Sequence, residues 1–560
     1  MFNKLYTTEG EMLGGTPWDV YPRPQMRRES SVNLNGVWSL SVEGMAETFS
    51  IRVPFCPESM LSGVFQHFPE GSTLSYRREF RLPNGFNQGK VLLHIGAADQ
   101  MAEVFVNQRF VGRHEGGYTA FTLDITDALK DENELEIRCT DDLSDTSFPY
   151  GKQTLRRGGM WYTPVSGLWQ SVWLESVPRE YIEELRIENR GYGVDISIRP
   201  ALDGVVTVEE LGEFPLKDGR ARIQPEAPHL WSPDDPYLYS FSVQTSHDRV
   251  ESYFAIRVIE TKVIDGIPRL CLNGKPYFFH GVLDQGYWPD GLYTPAAPEC
   301  YAKDILAMKK LGFNTLRKHI KVEAEEFYYQ CDKLGMIVFQ DFVNNSDYKF
   351  LRDTALPTLR VQKCADRKMH QDPKTRARFL ESMKETVAQL GNHPCILYWT
   401  VFNEGWGQFD SDEVYRKLRA LDDTRIIDTT SGWFRRKNSD VESLHIYFGP
   451  WNQIRPDEKP LVLSEFGGYT YPEEGHLFNP NRAYGYKTCK TKDEFQEQLL
   501  ALYRGKILPA VEKGLCGAIC TQLSDVEDEI NGFLTFDRKV CKAKEDALTA
   551  LARELQAKLP

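Results

Sequence analysis

Two glutamates close long apolar runs in this chain. Tyr398 to Gly407 reads YWTVFNEGWG and stops on Asn403-Glu404, while residues 460–468 read PLVLSEFGG and stop on Glu465. A carboxylate at the end of a buried strand is costly unless it is used or paired, and no basic residue stands close to Glu404 along the chain. A pair of carboxyl groups is what glycosidic bond cleavage needs. One protonates the leaving oxygen, and the other attacks or assists at the anomeric carbon. At a separation of about 5–5.5 Å the second is a nucleophile and the anomeric configuration is retained. Two negative charges that close raise the pKa of one of them, which suits it to act as an acid near neutral pH. A rim salt bridge would account for either glutamate alone; the two together make the case for catalysis.

The segments around them read as a barrel. From about Pro276 eight apolar strand candidates follow one another: YFFHGVL, FNTLRKH, MIVFQDF, CILYWTVF, RIIDTTS, SLHIY, LVLSEF and GAICTQL. Four helical stretches between them end on Gly312, Gly335, Gly391 and Gly514, where glycine can adopt the left-handed conformation that closes a helix. The connections after RIIDTTS and SLHIY are short and weakly helical. Eight such units predict a (β/α)8 TIM barrel, whose active site forms at the carboxyl ends of the strands. Before it, short strands rich in Val, Ile, Phe, Tyr and Thr alternate with Asn, Gly and Asp turns, as in a β-sandwich. A second set beyond Pro178, spaced by about 8 to 12 residues, suits a smaller sandwich of immunoglobulin type. The expected organisation is a jelly-roll-like β-sandwich over 1–178, an immunoglobulin-like β-sandwich over 179–260 and the catalytic barrel over 261–560.

Polar residues gather at the predicted strand ends. They are His280 and Asp284-Gln285, Arg317 and His319, Gln340-Asp341, Asn403-Glu404, Ser431 to Trp433, His445 and Tyr447, Glu465, and Gln522 with Asp525 and Glu527. His280 is expected either to touch substrate or to serve as a structural hydrogen-bonder. Asp284 is expected to bind a sugar hydroxyl or to pair with Arg317, and Asp341 to hold Arg317 or His319. Trp433 and Trp406 are expected to stack on a sugar face or anchor loops. The acidic run SDVEDEING suggests a solvated loop around Glu527 and Glu529. His280, His319 and His445 lie on separate strands without a short-spaced ligand pair, so a metal hydrolase is not the favoured chemistry.

Two sandwiches and a barrel, with FNEG and then SEFGG on the fourth and seventh strands, resemble glycoside hydrolase family 2, which includes β-galactosidases, β-glucuronidases and β-mannosidases. The resemblance covers nearly the whole chain. It implies that Glu404 is the general acid/base, that Glu465 is the nucleophile, and that Asn403 binds the sugar 2-hydroxyl. Arg317 and His319 match the Arg and His of the family's R-x-S-H pattern, although Lys318 alone stands between them where the pattern has two residues, and Ile320-Lys321 follows in place of its Tyr-Pro. Tyr447 matches the tyrosine beside the nucleophile. In this family a loop like RRGGMWYTPVSGLWQ reaches the barrel mouth, which makes Trp161 and Tyr162 pocket candidates.

The function expected from this reading is a retaining, exo-acting β-glycosidase with no cofactor and no metal, acting on a small carbohydrate or glycoside. The family's β-glucuronidases carry Asn-x-Lys after the last strand, whereas Asn531 here is followed by Gly532-Phe533. A β-galactoside and a β-hexuronide stand nearly level, galacturonide ahead of glucuronide, with Lys318, Lys321, Arg435, Arg436, Arg156 or Arg157 available to clamp a carboxylate. A β-furanosidase, or a non-catalytic carbohydrate-binding protein on a decayed barrel, are the alternatives. The net charge of -13, from 67 Lys plus Arg against 80 Asp plus Glu, argues against nucleic acid and anionic membranes as partners. The amino terminus lacks the apolar run of a signal peptide and the 11 cysteines form no CxxC pair, so a cytoplasmic protein is expected. The family often forms dimers or tetramers, so a homo-oligomer is expected to be possible.

Overall fold

The computed structural model describes residues 2–358, 366–448, 451–455 and 458–560. Eight parallel strands make its largest sheet: β1 Phe279–Asp284, β2 Thr315–Lys318, β3 Ile337–Asp341, β4 Ile396–Asn403, β5 Ile426–Ser431, β6 Glu442–Ile446, β7 Leu461–Gly467 and β8 Leu515–Thr521. They pair in the order β5-β4-β3-β2-β1-β8-β7-β6, which nearly closes the sheet into a barrel. Where β5 meets β6, the Ser431 and Ser443 hydroxyls lie 3.2 Å apart and the Asp440 N–H donates to the Ile427 carbonyl at 2.9 Å. Nearly every strand residue is buried, as expected for parallel strands covered on both faces, and this is why they read as continuous apolar runs.

Helices fill the outer layer. In α1, Glu299–Lys310, the buried residues are Cys300, Tyr301, Asp304, Ile305 and Met308, a stripe at helical spacing that packs on the barrel. α2, Glu325–Leu334, ends on Gly335 at φ 74°. α3, Pro373–Leu390, starts where Asp372 accepts the Thr375 N–H at 2.8 Å. Gly391 after it stays right-handed at φ -61°, a correction to the expected left-handed closure: the chain adds one more turn there, with the His393 N–H donating to the Leu390 carbonyl at 3.0 Å before β4. Among the described residues no regular α-helix stands between β5 and β6, and only the 3₁₀ turn Trp451–Gln453 between β6 and β7, as the weak helical signal there implied.

The first sandwich pairs a four-stranded with a six-stranded sheet, and the second a three-stranded with a four-stranded one. Alternation makes both: Gly36–Val42 buries every second side chain, among them Trp38, Leu40 and Val42, in the first core. A loop within this sandwich, between its strands Asn133–Thr140 and Val172–Val177, crosses to the barrel mouth. There the Thr163 N–H donates to Glu527 at 2.9 Å and the Tyr150 hydroxyl to the Ser346 carbonyl at 2.8 Å. Among the described residues no helix is long and apolar enough to cross a membrane.

Candidate active site

β4 ends on Asn403, and Glu404 follows in the left-handed region at φ 51°. That strain is uncommon away from glycine; here the Glu404 N–H donates to the Ser431 carbonyl of β5 at 2.9 Å, which fixes the turn. Gly405 continues it at φ 74°, and a Cβ there would sit 2.2 Å from the Phe434 ring. The Glu-Gly pair is therefore set by the turn that aims the carboxylate inward. Glu465 lies within β7 opposite His445 of β6. One carboxylate oxygen of Glu404, one of Glu465 and a ring nitrogen of His445 all lie within 4.8 Å of one another.

Glu465 is enclosed and heavily supported. Arg317 donates to its Oε1 at 3.0 Å, the Tyr447 hydroxyl donates to its Oε2 at 2.7 Å, and His445 Nδ1 lies 3.6 Å away. Burial alone would push this carboxyl up, but His445, Arg317 and His319 together with the Tyr447 hydroxyl outweigh it and hold the group down at about 2. Glu465 is thus a carboxylate at any ordinary pH.

Arg317, wholly buried, organises the floor. It donates to both Asp341 oxygens at 3.0 Å, to the Ser464 carbonyl at 3.0 Å and to Asn403 Oδ1 at 2.9 Å. A guanidinium only donates, so the Asn403 oxygen must face it; the Asn403 Nδ2 has no protein partner among the described residues. Asp341 also takes His319 Nδ1 at 2.9 Å, and burial pushes that imidazole down to about 4, leaving it neutral near pH 7.

Glu404 is the more open of the two, its side chain 21% exposed against 7% for Glu465. His445 Nδ1 meets its Oε1 at 2.8 Å, and Nε2 faces the Ser431 hydroxyl at 3.1 Å and Arg317 Nη1 at 3.4 Å. Because Arg317 can only donate, Nε2 is the accepting nitrogen and the ring proton sits on Nδ1, directed at Glu404. The arrangement offers one enclosed, permanently ionised carboxylate and one accessible carboxyl group steered by an imidazole.

Aromatic rings cluster beside the two glutamates. Trp161 meets Trp406 edge-on at 5.2 Å and Tyr348 at 4.9 Å, and Tyr447 stacks on Tyr486 at 4.0 Å. Gly468 makes room for that stack, since a Cβ would fall 2.2 Å from the Tyr486 ring. Trp433 lies half-buried with its ring 6.4 Å from that of His445. Tyr162, next to Trp161 in the chain, is fully buried and its hydroxyl donates to Glu529, so that hydroxyl is spent inside the protein.

Several residues expected at the site are committed elsewhere. His280 is held by the Gly312 carbonyl at 3.1 Å and the Tyr503 hydroxyl at 3.1 Å, and packs on Phe313, on the helix side of β1 and away from the glutamates. Asp284 pairs with Lys318 at 2.6 Å and not with Arg317. Lys318 also reaches Glu323 at 2.9 Å, and Lys321 is tied to Glu323 at 2.9 Å and to the Gly286 and Tyr293 carbonyls. Arg435 pairs with Glu442, Arg436 with Asp366, and Arg157 with Glu527 at 3.3 Å; Arg156 is exposed. Glu527 and Glu529 are not solvated: they are 2% and 4% exposed, because the sandwich loop folds over them and supplies Thr163, Arg157 and Tyr162 as donors. Asn531 is likewise held at both ends of its amide by Gln522 and Glu529.

One residue, His445, was named in the sequence reading without a part in the glycosidase chemistry. His445 stands two places before Tyr447, so strand alternation puts both on the face that Glu465 presents, and that spacing was the available signal. Glu404, His445 and Glu465 also have the composition of a cation site, but the Arg317 guanidinium 3.0 Å from Glu465 would face any ion placed there.

The description "Glycosyl hydrolases family 2, TIM barrel domain" matches residues 263–545, "Glycosyl hydrolases family 2" matches 179–257, and "Glycosyl hydrolase 2 galactose-binding domain-like" matches 62–149. The chain is 26% identical over 548 residues to a β-glucuronidase of Felis catus, covering 80% of this chain and 79% of that one. It is 25% identical over 438 residues to a β-galactosidase of Thermoanaerobacter pseudethanolicus, covering 72% of this chain and 54% of that one, so it spans about half the length of that relative. Among solved structures it shares the fold of a β-D-glucuronidase of Dictyoglomus thermophilum, with a TM-score of 0.75, 20% identity and 96% and 99% of the two chains covered. It also shares the fold of a family 2 β-galacturonidase of Eisenbergiella tayi bound to galacturonate, with a TM-score of 0.70, 19% identity and the same coverage.

Proposed function

Because this chain belongs to glycosyl hydrolases family 2 and is a glycoside hydrolase, we propose that it is a retaining, exo-acting β-glycosidase. The observation that carries this reading is the oxygen-to-oxygen approach of Glu404 and Glu465 within 4.8 Å. It supports direct attack by one carboxylate, since an inverting pair needs about 6.5–9.5 Å for a water molecule between them.

In the first step Glu465 Oε attacks the anomeric carbon as the bond to the aglycone breaks. The electron pair goes to the leaving oxygen, which takes the proton of Glu404. In the second, Glu404 removes a proton from water, the hydroxide oxygen bonds to the anomeric carbon, and Glu465 leaves as a carboxylate. The unequal surroundings support this division of labour: the nucleophile is enclosed and kept ionised, and the acid/base is open to aglycone and water. The Asn403 Nδ2, aimed by Arg317, supports a contact to the sugar 2-hydroxyl. Tyr447 orients the nucleophile, His319 faces the sugar as a neutral imidazole, and Trp161 and Trp433 supply rings for its apolar face. No cofactor is needed by these steps.

The sugar is a β-D-galactoside or a β-D-hexuronide, galacturonide ahead of glucuronide because Asn531-Gly532-Phe533 stands where Asn-x-Lys would. The ten described cysteines are all free thiols, which supports a cytoplasmic setting. A panel of aryl β-glycosides, comprising the galactoside, both hexuronides and a furanoside, tests the reading. Turnover of a pyranoside with retention supports it; inversion, or turnover of none, would favour another mechanism or a purely binding protein.

A further inference from the structure

Among the described residues most of the cations carried by the loops at the barrel's carboxyl end have partners, while Arg156 forms no ion pair but is exposed. Arg317 is spent on Asp341 and Glu465, Lys318 and Lys321 on Asp284 and Glu323, Arg157 on Glu527, and Lys542 on Asp525 at 2.6 Å. Lys152, half-buried at the mouth, makes no ion pair and no side-chain hydrogen bond among the described residues.

Its position is set from three sides. Its carbonyl accepts the Tyr162 N–H at 3.0 Å, which ties the backbone next to the aromatic cluster. Its ammonium lies 5.8 Å from the centre of the Trp161 ring, and Trp161 in turn meets Trp406, two residues beyond Glu404. Its neighbour Gly151 packs on the Ile320 carbonyl, one residue past His319 at the end of β2, where an added Cβ would lie 3.0 Å from that oxygen. Burial pushes the Glu529 carboxyl up and the Tyr162 hydroxyl already occupies it, so it is a poor counter-ion for the lysine.

We propose that Lys152 is a specificity residue that binds an anionic group on the glycone, a carboxylate in a β-hexuronide, at the rim above Glu404 and Glu465. The inference rests on the glycosidase reading and narrows it to the uronides. A half-buried ammonium without a carboxylate partner is free to take an anion, and a charge-assisted bond there discriminates a uronate from a neutral sugar. The lysine comes from the first sandwich, so that domain would take part in substrate choice.

The test uses the full-length enzyme and Lys152→Met and Lys152→Arg variants, with kcat/KM measured on aryl β-D-galacturonide, β-D-glucuronide and β-D-galactoside. The uronide-to-galactoside ratio is expected to fall about 10- to 100-fold in Lys152→Met, the worth of one charge-assisted bond, and to recover in part in Lys152→Arg. Equal losses on all three substrates, or a wild type that cleaves the galactoside and neither uronide, would overturn the inference and leave the glycosidase reading standing. A wild type that cleaves nothing would sink that reading instead. Calorimetric titration with free galacturonate then decides the inference by itself: weaker binding by Lys152→Met supports it, and unchanged binding or none overturns it.

Discussion

Replacing Tyr447 with Phe removes one hydroxyl from beside Glu465 and leaves the ring stacked on Tyr486 at 4.0 Å. That hydroxyl lies 2.7 Å from Glu465 Oε2 and 2.7 Å from the Thr521 hydroxyl. Its proton goes to the carboxylate, so Thr521 donates to it in turn. A hydrogen bond to a charged group contributes about 1.5–3 kcal/mol, and one pKa unit corresponds to about 1.4 kcal/mol. Losing the bond therefore lifts the Glu465 carboxyl by about 1–2 units from its value of about 2. The sign follows from the donor's preference for the ionised form: without it the carboxylate takes a proton at higher pH, and a protonated carboxyl group does not attack. The assay is kcat/KM against pH on a dinitrophenyl glycoside, whose leaving group needs no proton, so that the acid limb reports the free enzyme's nucleophile. The limb is expected to move upward by that amount, and samples returned to neutral pH should regain full activity, which separates titration from acid unfolding. An acid limb that coincides with the wild type's would refute the account of how Glu465 is held down.

Glu404→Ala should slow glycosides with poor leaving groups far more than dinitrophenyl ones, because only the former need a proton; equal losses on both would remove Glu404 from the acid role. His280, its imidazole pushed down from 6.5 to about 4 by burial, contributes stability that is complete above pH 6.5 and is lost as the pH falls toward 4, about 3 kcal/mol in all. His280→Phe should accordingly flatten the pH dependence of urea unfolding in that window and leave kcat/KM untouched; an altered KM would return His280 to the substrate site.

What the sequence makes legible depends on how local the cause is. The eight barrel strands stood out because parallel strands buried on both faces must be continuous apolar runs. Glu404 and Glu465 stood out because each interrupts such a run at the same end. Long-range pairing left no such mark. Lys318 and Asp284, 34 positions apart, looked like a free cation and a free sugar ligand until adjacent strands brought them together. Glu527 looked solvated because its donors, Thr163 and Arg157, lie more than 360 positions away in another sheet system. The two readings of His280 stayed open for a different reason: a strand residue can face the barrel interior or the helix layer, and its register decides which.

The central claim is that Glu465 forms the covalent bond to the sugar. Incubation with a 2-fluoro glycoside bearing a good leaving group, followed by digestion and mass spectrometry, tests it most directly. The account predicts one fluoroglycosyl group per chain, carried by the peptide that contains residues 461–468 and placed on Glu465, with no label on a Glu465→Ala protein. A label on Glu404 or any other residue, or steady turnover with no labelled protein at all, would contradict it.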